Sequence, residues 1–394
     1  MEVIKKVKLS EIAEVITKGT TPTTLGYEFQ PSGVNFLKIE CFDENGLFIK
    51  EKVTHISEEC NEKLKRSQLK KGDILFSIAG AIGRVAIVTD EMLPANTNQA
   101  LAIIRIANDE FYLPYIKLIL TSPIIKEQFE RKKQGVAQLN LSLKDIGELE
   151  IPFITIEKQK EIVCIFDKVC ELISNRKQQL QQLDDLVKAR FVEMFGTIYD
   201  NKFEYEIKTL QDVCEQIKDG THQTPTYTDD TVNGYKFLSS KDVITGKIDW
   251  THLKYIPEKL HNELYAKIAP RKGDILLAKN GTTGIAAIVD RDEIFDIYVS
   301  LALLRPIDVD SVYLWAAINS VESKQQFDSS LKGIGVPNHH LGEIKKVNII
   351  VPPVDEQNKF ARFVEQIDKS KVAVQKALDE AQTLFDSLMQ EYFG

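Results

Sequence analysis

The sequence predicts an α+β protein: two similar globular domains separated by a long antiparallel pair of coiled-coil helices, with pseudo-two-fold symmetry. Three observations predict it. The chain of 394 residues repeats itself at about half its length. Each copy closes with 40 residues carrying the apolar period of a coiled-coil seam. Elsewhere, short apolar runs bounded by Gly, Asn and Pro have the lengths and flanks of strands.

The repeat starts at KLSEIAEVITKGTTPT (Lys8 to Thr23), which returns as TLQDVCEQIKDGTHQTPT (Thr209 to Thr226). Leu9, Ile16, Gly19 and Thr20 match Leu210, Ile217, Gly220 and Thr221 at an offset of 201. KGDILFSIAGAIGRVAIV (Lys71 to Val88) returns as KGDILLAKNGTTGIAAIV (Lys272 to Val289) with its glycines in place. GVAQLNLSLKDI (Gly135 to Ile146) faces GIGVPNHHLGEI (Gly333 to Ile344). Within each copy DILFSI, RVAIV and ALAIIRI are strand candidates, and YLPYIKLILTSPIIKEQFERKKQ is helix interrupted at its prolines.

The expected division is a first domain over residues 1–156, a central spacer helix over 157–196, a second domain over 197–354 and a C-terminal spacer helix over 355–394. In the first helix Ile162, Phe166, Val169, Ile173, Leu180, Leu183, Val187 and Met194 alternate by threes and fours. The second repeats the seam with Phe360, Val364, Ile367, Val374, Leu378, Ala381, Phe385, Leu388 and Tyr392. Arg176, Arg190 and Lys371 interrupt the seams, where long basic side chains snorkel to water and fix register. Neither segment has an internal Pro or Gly, and each helix would be about 60 Å long. One seam on so long a helix cannot bury itself, so the two helices are expected to pair antiparallel, with a globular segment at each end.

Hydrophobic residues make up 43% and charged residues 27%, which excludes disordered, collagenous and membrane classes. The amphipathic N-terminus lacks an apolar core of signal-peptide length, so a cytoplasmic protein without membrane attachment is expected. Five cysteines without a CxxC pair read as buried or incidental thiols, and six histidines without metal-ligand spacing predict no metal site. The net charge of −8 confines any DNA contact to local basic patches. Those include Lys63 to Lys71 and Lys126 to Gln134, with thinner counterparts at Lys267, Arg271, Lys272 and Lys332.

Catalytic apparatus is missing from the pattern. There is no GxxxxGK[ST] loop, GxGxxG, GxSxG or methyltransferase Pro-Pro-aromatic tetrapeptide. GAIG (Gly80 to Gly83) and GTTG (Gly281 to Gly284) follow strands and suit tight turns better than phosphate cradles. KGTTPTT (Lys18 to Thr24) and DGTHQTPT (Asp219 to Thr226) are rich in hydroxyls and amides, groups that bond phosphates and base edges.

In order and twice over, these motifs resemble the DNA sequence-specificity subunits of type I restriction-modification enzymes. The resemblance rests on KGDIL before a GxxG turn, NQAL and SLALLRP at strands, GVAQLN before IP and EKQKEIV, VPP before DEQ, and ARFVEMFG and QEYFG closing the helices. FIT (Phe153 to Thr155), where the family has a proline pair, and PNHH (Pro337 to His340) depart from the pattern. The resemblance implies a non-catalytic subunit with two target-recognition domains, each reading one half of a bipartite site in double-stranded DNA. It implies helices that space the half-sites and dock two methyltransferase subunits, and nuclease-translocase subunits that complete the restriction complex. S-adenosylmethionine, ATP and magnesium would belong to those partners. Other readings are a scaffold for methylation alone and a duplicated enzyme with unfamiliar motifs.

Candidate DNA-contacting residues are Thr20, Thr21, Thr23, Lys38, Ser77, Arg84, Asn98 and Gln99 in the first domain. In the second they are Thr221, His222, Gln223, Ser239, Ser240, Lys241, Lys279, Asn280 and Thr282.

Overall fold

The computed structural model describes residues 5–106, 108–131, 141–243, 246–280, 283–329 and 339–393. Two compact units divide the chain, Met1–Arg176 with Ala377–Gly394, and Lys177–Lys376. Each unit therefore joins one globular segment to parts of both long helices.

The first globular segment supplies β1 (Lys6–Lys8), β2 (Ala13–Lys18), β3 (Val34–Leu37), β4 (Thr54–Ile56), β5 (Ile74–Ser77), β6 (Val85–Ile87), β7 (Ala95–Thr97), β8 (Leu101–Ile106) and β9 (Glu150–Pro152). They form an antiparallel sheet in the order β2-β8-β5-β6, a three-stranded sheet β4-β3-β7 in which β3 and β7 run parallel, and the pair β1-β9. The second segment supplies β10 (Glu206–Thr209), β11 (Cys214–Asp219), β12 (Tyr235–Leu238), β13 (Lys254–Ile256), β14 (Ile275–Ala278), β15 (Ile285–Ile288), β16 (Phe295–Ile297), β17 (Leu301–Pro306) and β18 (Asn348–Val351). Its sheets repeat the pattern as β11-β17-β14-β15, β13-β12-β16 and β10-β18.

The continuous apolar runs follow from burial of the central strands on both faces. Ile74 and Phe76 enter the core shared with the helices, while Leu75 faces a second core with Leu37 and Met92. Ile275 and Leu277, against Leu276 and Ala278, divide in the same way. The KGD motif has a mechanical role before each such strand. Gly72 and Gly273 take φ of +84° and +89°, a conformation that favours glycine. Their N–H groups donate to Val88 and Val289 carbonyls, each at 2.9 Å. Buried Asp73 accepts both arms of Arg105 at 2.7 Å, and buried Asp274 accepts Arg305 at 2.8 and 2.7 Å. Such a fork is the strong geometry for a carboxylate and guanidinium.

The interrupted helix resolves into Leu113–Leu120 and Pro123–Glu130, with Pro123 in the first turn, where a missing N–H costs nothing. In the second segment Ser311–Ile318 and Val321–Ser329 correspond. The long helices run Ile156–Phe195 and Val354–Phe393. A buried glutamine fastens each to its own segment. Gln159 accepts from the Tyr112 N–H and donates to the Glu110 and Ile154 carbonyls, at 2.8, 2.8 and 2.9 Å. Gln357 accepts from the Asp310 N–H at 2.8 Å and donates to the Pro352 carbonyl at 2.7 Å.

The seams pair antiparallel. In the unit holding the first segment, Phe166 of the central helix meets Phe385, Tyr392 and Phe393 of the terminal helix, with ring centroids 5.3 to 6.2 Å apart. Phe393 also meets Tyr115 at 6.0 Å. In the other unit Phe195 meets Phe360 at 5.6 Å and Tyr313 at 5.1 Å. There the Lys371 ammonium, 14% exposed, reaches Asp184 on the facing helix at 2.5 Å. Ile162, Phe166, Val169, Val187, Phe360, Val364 and Ile367 are buried, and Ile173, Leu180, Leu183, Val374, Leu378 and Phe385 half-buried.

Each globular core is thus completed by the far end of the helix that starts from the other copy. Phe393→Ala should cost about 3–5 kcal/mol of stability in the unit it caps, read by chemical denaturation. A loss below about 1 kcal/mol would mean that the helix end does not complete that core.

Candidate nucleic-acid interface

Strand register brings the candidate loops together. In the first segment Lys18 at the end of β2 pairs with Ala102, and Ser77 at the end of β5 pairs with Leu101, both at the start of β8. The parallel pair places Leu37, the end of β3, opposite Thr97, the end of β7. The carboxyl ends of four strands therefore converge on the short link 98–100. The Gly19 N–H donates to the Asn98 carbonyl at 3.1 Å, the Thr21 hydroxyl donates to Gln99, and the Ile78 N–H donates to the Ala100 carbonyl at 2.9 Å. Gly19 is required here, because a Cβ would lie 1.8 Å from the Thr97 carbonyl oxygen.

The second segment repeats this hub with other side chains. Asp219 at the end of β11 pairs with Ala302, Ala278 of β14 with Leu301, and Leu238 of β12 with Ile297 of β16. The link 298–300 holds three loops. Val299 N–H donates to the Thr221 carbonyl at 3.0 Å, the Ser300 hydroxyl accepts from Ser240 N–H at 2.9 Å, and Lys279 N–H donates to the Ser300 carbonyl at 3.0 Å. A Cβ on Gly220 would lie 2.2 Å from the Ile297 carbonyl oxygen.

Of the first-domain candidates, Thr23 and Gln99 are exposed, and Thr20, Thr21, Lys38, Arg84 and Asn98 half-buried. The Lys38 ammonium lies 4.4 Å from the centre of the Phe29 ring and 4.0 Å from Glu40. Arg84 donates through Nη1 to the Phe42 carbonyl at 2.9 Å and the Ile39 carbonyl at 3.4 Å, tying down the loop after β3. Asn98 accepts from the Ala100 N–H at 3.1 Å.

Ser77 needs correction. It is fully buried at the end of a strand covered on both faces, and its hydroxyl donates to the Ala79 carbonyl at 3.0 Å, so it offers nothing to a ligand.

In the second domain His222, Gln223 and Lys241 are exposed, while Thr221, Ser239, Ser240 and Asn280 are half-buried. The His222 imidazole lies 3.5 Å from Asp219. Ser239 caps its turn through the Asp242 carboxylate, which accepts its N–H at 2.6 Å and hydroxyl at 3.0 Å. Lys279 is the second correction: its side chain is 5% exposed and its ammonium sits 2.9 Å from Asp219, an internal ion pair instead of a surface charge. Thr282 lies outside the described residues, as do Gly135 to Asn140, Lys332 and Pro337.

The glycine turns are hairpin connections. The N–H groups of Gly83 and Gly284 donate back to the Ser77 and Ala278 carbonyls at 3.0 and 2.9 Å, so they do not face a phosphate. The basic run at Lys63 to Lys71 is partly neutralised, with Lys65 3.2 Å from Glu62 and Lys71 2.5 Å from Asp90. It leads into the start of β5, at the end of that strand away from the hub. Sequence reading missed Asp219, the link 298–300 and His339. His339 is buried, the pKa of its imidazole is pushed down by burial, and its backbone N–H donates to the Lys279 carbonyl at 2.9 Å. The signal for the links was present in the matched strands LAIIRI and LALLRP, which begin at Leu101 and Leu301 and so place 98–100 opposite 298–300.

Among the described residues no helix is long and apolar enough to cross a membrane. The family model for the type I restriction modification DNA specificity domain matches residues 1–184 and 203–381. The chain is 25% identical over 296 residues to the type I restriction enzyme MjaVIII specificity subunit of Methanocaldococcus jannaschii, covering 68% of this chain and 67% of the relative. It is 22% identical over 419 residues to the MjaIX specificity subunit of the same organism, covering 98% and 91%. Two solved structures share the fold. One, from work on complex assembly and conformational transition of the type I R-M system, has a TM-score of 0.63 at 18% identity, covering 99% of this chain and 97% of that one. The other, the S subunit of a type I restriction-modification system from M. genitalium, has a TM-score of 0.50 at 15% identity, covering 100% and 97%. With both copies of the repeat matched over nearly their whole length, the chain belongs to the type I restriction-modification DNA specificity family.

Proposed function

We propose that each hub edge reads one half of a bipartite sequence in double-stranded DNA, and that the chain is the non-catalytic specificity subunit of a complex whose other subunits do the chemistry. The observation that carries this reading is the pairing of one scaffold with two different sets of loop side chains. Thr20, Thr21, Lys38 and Gln99 stand at one edge; Thr221, His222, Gln223 and Lys241 stand at the other. Hydroxyls, amides and single cations of this kind bond base edges and phosphates. Different side chains on equal strand ends give unlike half-sites.

On this reading the paired helices set the gap between half-sites and dock two methyltransferase subunits, and nuclease-translocase subunits join for restriction. S-adenosylmethionine, ATP and magnesium are held by those partners, and the complex works in the cytoplasm. The net charge of −8 is consistent with partners that supply much of the grip on phosphate.

Mapping methylated bases in the source genome with the gene intact and deleted tests the reading. Loss of one bipartite motif is expected on deletion, and a methylome without any lost motif would contradict it. Arg84→Ala tests one residue: because Nη1 holds the loop after β3, discrimination in the first half-site should fall about ten-fold, with the second half-site unaffected. Unchanged discrimination in both would remove Arg84 from the site.

A further inference from the structure

The loops assigned to base reading in the second domain hang from link 298–300, and that link continues β16. The middle residue of β16 is Asp296, 2% exposed, whose Oδ2 lies 2.7 Å from Nδ1 of the buried His261. His261 belongs to the helix Glu258–Tyr265. Its ring stacks on Tyr235 with centroids 3.7 Å apart and planes 7° from parallel, and meets Tyr265 at 4.9 Å. Tyr235 starts β12, the parallel partner of β16. Through His261 the hub strand is therefore fastened both to a helix and to its neighbouring strand. Burial pushes the Asp296 carboxyl up, opposed by the His261 hydrogen bond, so the carboxylate depends on its partner.

A cavity of about 290 Å³ lies between Asp219, Thr221 and Gln223 on one side and Leu264 and Lys267 on the other, with Asp296 in its wall. Beside this space the loop is held from the hub: Thr221 N–H donates to the Ile297 carbonyl at 3.0 Å, Val299 N–H to the Thr221 carbonyl at 3.0 Å, and Asp219 pairs with Lys279 at 2.9 Å.

The first domain solves the same problem with amides and a hydroxyl. Asn96, in the middle of β7, is fully buried. It donates to Asn61 at 2.9 Å and the Leu64 carbonyl at 3.2 Å, and accepts from the Ser67 hydroxyl at 2.7 Å.

We propose that His261 and Asp296 are positioning residues for the second half-site, holding β16 so that the loops at Thr221 to Gln223 and Ser239 to Lys241 meet the bases in register. This rests on the function proposed above. A buried polar pair adds little net stability over an apolar pair of the same shape, whereas its short directional bond fixes geometry.

The test uses the subunit assembled with its methyltransferase partners, on duplexes carrying the methylated motif and every single-base change in it. His261→Phe combined with Asp296→Leu keeps a ring on Tyr235 and removes both buried polar groups. The double variant should lose about ten-fold in discrimination at positions of the second half-site and none in the first. Asp296→Asn, whose amide oxygen still accepts from Nδ1–H, should keep discrimination close to that of the parent. Parental discrimination at both half-sites in the double variant would overturn the proposal, as would an equal loss at both. A parent complex that shows no preference in one of two half-sites would instead overturn the function on which the proposal stands.

Discussion

The apolar seams of the two long helices constrain everything else in the molecule. A 40-residue helix with one narrow stripe of Ile, Leu, Val and Phe cannot stay in water alone, since helical stability in proteins comes from packing an apolar face and not from propensity. Each seam is covered by the other helix, running the opposite way, and each helix end then delivers a phenylalanine into the core beneath the opposite copy's sheet. Phe393 against Tyr115 and Phe195 against Tyr313 are the same solution used twice. Neither globular segment has a complete core until the chain has passed through both copies. Gln159 and Gln357 add a polar lock at the other end of each helix, so that each is fixed at its start by hydrogen bonds and at its finish by aromatic packing.

The same economy governs the edge where the candidate loops meet. A mixed sheet pattern, antiparallel in one layer with a parallel pair in the next, turns the carboxyl ends of four strands toward one short link. Loops far apart in sequence then share one set of backbone hydrogen bonds, and their side chains can vary while the frame stays fixed. This explains why glycine stands at 19 and 220. The chain there passes so close to the neighbouring carbonyl that any side chain would force the frame open.

Much of this was legible in the residues. The offset of 201 over the KGD and Gly-Thr motifs, and the alternation by threes and fours ending at Gly196 and Gly394, are periodic signals that survive without knowledge of tertiary contacts. What escaped were facts that depend on partners distant in sequence. Ser77 stands near the end of the apolar run DILFSI, just before a glycine turn, yet both faces of its strand are covered, so its hydroxyl turns to the nearest carbonyl. Lys279 looks like a free cation until Asp219, sixty residues earlier, is brought 2.9 Å away. Gln159 and Gln357 lie inside motifs that marked helix starts, but nothing local reveals that their amides point inward to backbone groups some fifty residues upstream.

The central claim is that each domain carries its own half of the specificity on a shared frame. Replacing the first globular segment, residues 6–155, by the second, residues 206–353, and mapping the methylated motif tests it most directly. The account predicts a motif whose second half is retained and whose first half becomes another copy of it. A methylated motif with its original first half would contradict the account.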